Sequence, residues 1–138
     1  MFKYQVTIQE TYLDFLGHVN NARYLELFEQ ARWEAIHKYG YGLDRIQELQ
    51  QGPIILEAQI RYLRELKQRD VIDITVETLE YQGKIGRLKQ QMINAQGQIC
   101  AELIVTVGLF DMKSRKLITS TPEWQAVIDH LNNHNSIT

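Results

Sequence analysis

The feature that most limits the fold is a single change of hydrophobic period. Between Gly17 and Gly40, the residues Tyr24, Phe28, Ala31, Ala35 and Tyr39 recur at the spacing of one helical face, while Glu26, Glu29, Gln30 and Lys38 lie elsewhere on the wheel. Asn20 and Asn21 suit the orphan amides of a helix start, and Gly40 and Gly42 permit the left-handed turn that ends one. Trp33 projects opposite the main stripe, so the helix is expected to have contacts on a second side. Over most of the rest of the chain apolar and polar residues alternate. One long helix is therefore expected to pack against strands.

Phe2, Tyr4, Val6 and Ile8 alternate with Lys3, Gln5 and Thr7 and predict a first strand; a short helix is expected near Leu43 to Leu49. Leu56, Ala58, Ile60 and Tyr62, then Ile72, Ile74 and Val76, predict two half-buried strands. The apolar parity slips at Thr78 to Leu79 and Tyr81, as a bulge in a bending strand would make it. Gln82-Gly83 and Gln96-Gly97 punctuate hairpins, giving strands near Lys84 to Asn94 and Gln98 to Phe110. In the last, Ile99, Ala101, Leu103, Val105, Val107 and Leu109 hold one face while Ile104 and Phe110 add to the other, which predicts a central strand. After a turn at Lys113 to Arg115, Thr121-Pro122 opens a C-terminal helix with the stripe Trp124, Val127, Ile128 and Leu131. This order, without repeats or alternating strand–helix units, predicts an α+β layout, and the length suits one domain over residues 1–138.

Composition narrows the partners. A net charge of −2 gives no bulk attraction to nucleic acid or to an anionic membrane, so neither is expected as a partner. The N-terminal run MFKYQVTIQE has no apolar signal core, and no apolar stretch is long enough for membrane insertion. Cys100 is the only cysteine and sits in a hydrophobic run, where a buried free thiol and a reducing, cytoplasmic location are expected. Four scattered histidines with no Cys/His cluster give no metal site, and no cofactor is implied.

The chemistry concentrates in the segment from Tyr12 to Arg32, whose first part, Tyr12 to Glu26, lies on the turn from the first strand into the long helix. A helix N-terminus offers unpaired amides and a partial positive charge to the oxygen of a polarised carbonyl, and Asp14 precedes that terminus. A thioester needs little more, because thiolate leaves with limited acid assistance. Asp14 serves either as general base toward water or as a nucleophile forming an anhydride that water then opens.

The run DFLGHVNNARYLELFEQAR resembles the signature of the 4-hydroxybenzoyl-CoA thioesterase family, an Asp followed by a Gly-His-Val-Asn-Asn turn and a Tyr-Leu-containing helix. Within that family TYLDFLGHVNNARYLELFEQARWE looks closest to the bacterial long-chain acyl-CoA thioesterase III type. GPIILEAQIRYLRELKQRD, GKIGRLKQQM and LFDMKSRK extend the likeness over roughly residues 3 to 120. The resemblance implies a hot-dog fold, an antiparallel sheet wrapped around the long helix, assembled as a homodimer or homotetramer with active sites at subunit interfaces. It implies hydrolysis of medium- to long-chain acyl-CoA, with Asp14 as the catalytic carboxylate, the Asn21 amide as oxyanion donor, and His18 and Asn20 shaping the turn. The family's second acid two positions before the catalytic one is replaced by Tyr12, and a common proline by Glu65.

Each residue also has a plainer role. Asp14, Asn20 and Asn21 are ordinary cap and turn residues, His18 an ordinary structural histidine, and Glu29 a helical carboxylate that pairs locally or faces solvent. Arg61, Arg64, Lys67 and Arg69, and separately Lys84 and Arg87, read either as solvated charge or as partners of the coenzyme A phosphates. The rival functions are a hot-dog protein acting on acyl-carrier-protein thioesters, a histidine-based dehydratase, whose expected His-containing signature is missing, and an acyl-CoA-binding dimer without turnover.

Overall fold

A computed structural model describes residues 1–132. Strand β1 (Phe2–Thr7) leads through a 3-10 turn at Glu10–Tyr12 into helix α1 (Asn21–Lys38), then helix α2 (Leu43–Leu49) and strand β2 (Gln51–Tyr62). Strands β3 (Val71–Gln82), β4 (Ile85–Ile93), β5 (Ile99–Asp111) and β6 (Lys116–Ile118) follow, and helix α3 (Pro122–His130) closes the described chain. All pairings between these strands are antiparallel, in the order β1-β3-β4-β5-β2. Beyond the reach of β4, β6 pairs with Leu109–Asp111 of β5.

The α1 stripe packs as its period predicts. Phe28, Ala31 and Ala35 are fully buried, and the two alanines let the helix sit close on the sheet wall formed by Ile74, Val76, Leu88, Met92 and Leu103. Burying each large apolar side chain there contributes roughly 1.5–3 kcal/mol. A polar tether fixes the helix along its axis: buried Gln90 of β4 donates from Nε2 to the Phe28 carbonyl at 2.8 Å and accepts at Oε1 from Arg32 Nη1 at 2.9 Å.

The parity slip at Leu79 is a bulge, with the β3–β4 register shifting between Thr78 and Glu80. The bulge turns Thr78 toward α3, where its N–H donates to the Leu131 carbonyl at 2.8 Å and its Oγ1–H to the Ile128 carbonyl at 2.9 Å. Trp124 completes the dock, fully buried, with its indole N–H donating to the Tyr81 hydroxyl at 3.0 Å.

Strand β2 departs from the expectation of a half-buried strand. Leu56, Ala58 and Tyr62 are exposed and only Ile60 is partly covered. The cause is position: β2 ends the sheet with β5 as its only partner, while the closest approaches of α1 are to β3 and β1. No helix among the described residues is long and apolar enough to cross a membrane.

Candidate active site

The turn before α1 is built largely from its own backbone. Leu13 bridges Val19, the Asp14 N–H donates to the His18 carbonyl at 2.8 Å, and the Gly17 N–H donates to the Asp14 carbonyl at 3.1 Å. Gly17 holds φ +77°, a conformation that a side chain would strain. The Asp14 carboxylate accepts at Oδ1 from the N–H groups of Leu16, at 2.9 Å, and His18, at 3.3 Å. Both bonds fall on one oxygen, so Oδ2 is left for a ligand or water.

The helix start is organised by Asn20. Its N–H donates to the Tyr12 carbonyl at 2.8 Å, its Oδ1 accepts from the Ala22 N–H at 2.9 Å, and its carbonyl accepts from the N–H groups of Arg23 and Tyr24. The Asn21 N–H finds no acceptor among the described residues. At the first position of an 18-residue helix it is an amide with the terminal dipole behind it.

Asp14, His18, Asn21 and Tyr24 share one open cleft of about 500 Å³. Its other wall comes from the end of β2 and the loop after it, through Tyr62, Leu63, Arg64 and Glu65. That loop is pinned, because the Leu63 and Arg64 N–H groups both donate to the Cys100 carbonyl, at 2.9 and 3.0 Å, and Leu66 is fully buried. His18 Nε2 lies 3.5 Å from Glu65 Oε1, with both side chains about half exposed. The residue that replaces the family's proline is thus the partner of the motif histidine. Tyr24 meets Tyr62 edge-on at 4.9 Å. Burial first, then Cys100, Tyr62 and Glu65, push the Tyr24 hydroxyl above its ordinary pKa and keep it a neutral donor.

The structure therefore brings Asp14, His18 and Asn21 together and places Asn20 behind them as the cap. Arg61, Lys84 and Arg87 lie outside this cleft. Arg61 sits opposite Glu102 on β5, Lys84 at the β3–β4 turn, and Arg87 opposite Thr106, bonded through Nε to Glu80 at 2.5 Å. Arg64 is the member of the basic cluster that does line the cleft. The sequence pattern assigns Tyr24 to the helix stripe and Tyr62 to the apolar face of a strand, neither of which marks them as cleft residues; the departure at Glu65 is the signal that points to this wall. Cys100 is buried as expected, and burial raises its thiol pKa.

A carboxylate beside an unpaired amide at a helix start, on a sheet wrapped around that helix, defines a hot-dog domain of the thioester hydrolase class. The model of the thioesterase-like superfamily matches residues 6–135, and the chain belongs to that superfamily. The long-chain acyl-CoA thioesterase FadM of Escherichia coli (strain K12) is 29% identical over 131 residues, covering 92% of this chain and 96% of that relative. Among solved structures, the probable thioesterase YbaW from Escherichia coli is 26% identical with a TM-score of 0.85, over 95% of this chain and 98% of that one. The hypothetical protein SAV2348 of Staphylococcus aureus, solved in complex with CoA, superposes with a TM-score of 0.89 at 21% identity, over 94% of this chain and 82% of that one; it shows the fold alone.

Proposed function

We propose that this protein hydrolyses medium- to long-chain acyl-CoA thioesters to free acid and coenzyme A. The observation that carries the reading is the Asn21 N–H, which lacks an acceptor among the described residues and lies in the same cleft as Asp14. The thioester oxygen takes that N–H as negative charge develops on it. Asp14 removes a proton from the attacking water, or attacks the carbonyl itself before water opens the anhydride. The carbon–sulfur bond breaks with its electron pair on sulfur, and the thiolate leaves as coenzyme A, so water supplies the hydroxyl of the acid and the proton of the thiol. Neither metal nor cofactor is needed for these steps.

The fatty acyl preference is supported by the relative named as a long-chain acyl-CoA thioesterase. Arg61, Lys84 and Arg87 suit the nucleotide end of coenzyme A, which the pantetheine arm holds away from the reacting carbonyl. The exposed β2 edge suits a homodimer, and the single buried Cys100 suits a reducing cytoplasm.

The test is thiol release from a panel of acyl-CoAs of different chain length. Asp14→Asn, which keeps an acceptor oxygen for the turn, is expected to lower kcat by about 10²–10⁴-fold with unchanged thermal unfolding. Equal rates for the two proteins would sink the assignment of Asp14, and no turnover of any acyl-CoA by the wild type would sink the function.

A further inference from the structure

A second pocket, of about 200 Å³ and more enclosed than the Asp14 cleft, lies farther along α1. Its walls are mostly apolar, among them Ile36 and Trp33 of α1, Ile55 of β2, Val107 of β5 and Trp124 of α3. It is smaller than a typical drug-sized ligand site, so it suits one part of a larger molecule. Both concavities are bounded by α1 on one side and β2 on the other. Tyr24 and Tyr62 line the Asp14 cleft, while Arg32 and Ile55 line the pocket. Tyr24, Phe28, Arg32 and Ile36 form one i, i+4 ridge, which sets cleft and pocket roughly 12 Å apart along the helix, eight residues at the helical rise, with the buried Phe28 ring between them.

The pocket's polar feature is Arg32. It is 7% exposed, yet its guanidinium has one hydrogen bond among the described residues, from Nη1 to Gln90. No side-chain nitrogen among the described residues is both sealed from solvent and without a partner, so the remaining Arg32 nitrogens keep contact with solvent, and Arg32 is one of the residues that line the pocket. Glu29, also at the pocket, supports the charge without closing an ion pair on it. A plain alkyl end placed there strips water from those N–H groups and returns no acceptor. An acyl chain with an oxygen near its far end fills the apolar walls and satisfies the guanidinium as well.

We infer that this pocket receives the distal part of the acyl chain and that Arg32 selects chains bearing an oxygen substituent there. The inference rests on the Asp14 cleft holding the thioester, and its test is independent of turnover. Trp33 and Trp124, the two tryptophans of the chain, both line the pocket, so intrinsic fluorescence reports its occupancy. The probes are non-hydrolysable thioethers of coenzyme A carrying a dodecyl or an ω-hydroxydodecyl chain, with coenzyme A alone as the control.

Both thioethers are expected to change the emission of the wild type and coenzyme A alone to leave it unchanged. The hydroxylated chain is expected to bind about tenfold more tightly, because a site with waiting donors discriminates against a chain that lacks the acceptor. Arg32→Met is expected to erase that preference and Arg32→Lys to keep part of it. Silent emission with both thioethers, or equal affinity of the two chains for the wild type, overturns the inference even if the Arg32 variants do not fold. An emission response with no thioester turnover leaves the pocket standing and removes the proposed function; turnover without an emission response does the reverse.

Discussion

Asn20 and Asn21 are the same residue type at adjacent positions, and the structure gives them different work. Asn20 acts through its side chain, capping the Ala22 N–H, whereas Asn21 acts through its backbone, as the amide left without an acceptor. Asn21→Pro separates the two. Proline is well tolerated at the first helical position, and Asn20 already holds φ −63° and ψ 140°, the extended geometry that a following proline demands. The helix is expected to survive while the N–H proposed as oxyanion donor disappears, lowering kcat by about 10²–10³-fold relative to Asn21→Ala, which keeps the N–H. A loss no larger than that of Asn21→Ala removes the amide from the mechanism. A second prediction concerns Tyr41, which is fully buried and donates to the Gln51 carbonyl at 3.1 Å. Burial, with Glu123 adding, pushes it up from 10.0 to about 12. Because its folded pKa is the higher one, its contribution is complete below pH 10 and lost as pH rises toward 12. Tyr41→Phe is expected to cost about 1 kcal/mol at neutral pH and to flatten the fall of the urea midpoint across that alkaline range. Asp14 and the two asparagines were legible in the sequence because their spacing to the helix start is local. Arg32 was not, since what buries and bonds it is Gln90, 58 residues away.

At the scale of elements, period two located the strands and their faces, and the slip at Leu79 located the bulge, because parity is a property of the strand itself. Whether a face is covered depends on what the rest of the chain brings to it. β2 has the alternation of a half-buried strand and is largely bare in the protomer, because the closest approaches of α1 are to β3 and β1. β6 went unread for a related reason: its three residues carry little pattern, and they pair because β4 stops short of Leu109–Asp111. The junction of β3, β4 and α3 rests on Gly86. A Cβ there would run into the Tyr81 ring, and Tyr81 holds Trp124 of α3 by its hydroxyl. Gly86→Ala is expected to cost about 1–3 kcal/mol, because the ring must move and the α3 dock moves with it. Thermal unfolding measures the cost and Trp124 emission the loosened dock. A variant as stable as the wild type shows that the ring has room to rotate away.

For the whole molecule the bare feature is β2, a twelve-residue edge strand with Ile55, Leu56 and Tyr62 exposed. A bare edge of that length invites another strand, and a second copy of β2 fits it antiparallel about a two-fold axis. With the axis at Gln59, Ala58 faces Ile60 and Glu57 faces Arg61, so the strand is complementary to itself in shape and in charge. The strand also ends at Tyr62, on the wall of the Asp14 cleft, so dimerisation would bring a second protomer close to that cleft. This register gives Arg61 a structural partner in place of a coenzyme A phosphate, and charge reversal distinguishes the two roles. Glu57→Arg or Arg61→Glu alone sets like charges opposite each other twice per dimer, at roughly 0.2–1 kcal/mol each, and is expected to raise the dimer dissociation constant by up to about thirtyfold. The double reversal restores opposite charges and is expected to return the constant to the wild-type value, while a phosphate-binding role for Arg61 would stay lost as a raised KM for acyl-CoA. Sedimentation equilibrium over a dilution series reads the first effect and steady-state kinetics the second. A wild type that stays monomeric, or a double variant no better than the singles, rules out this pairing.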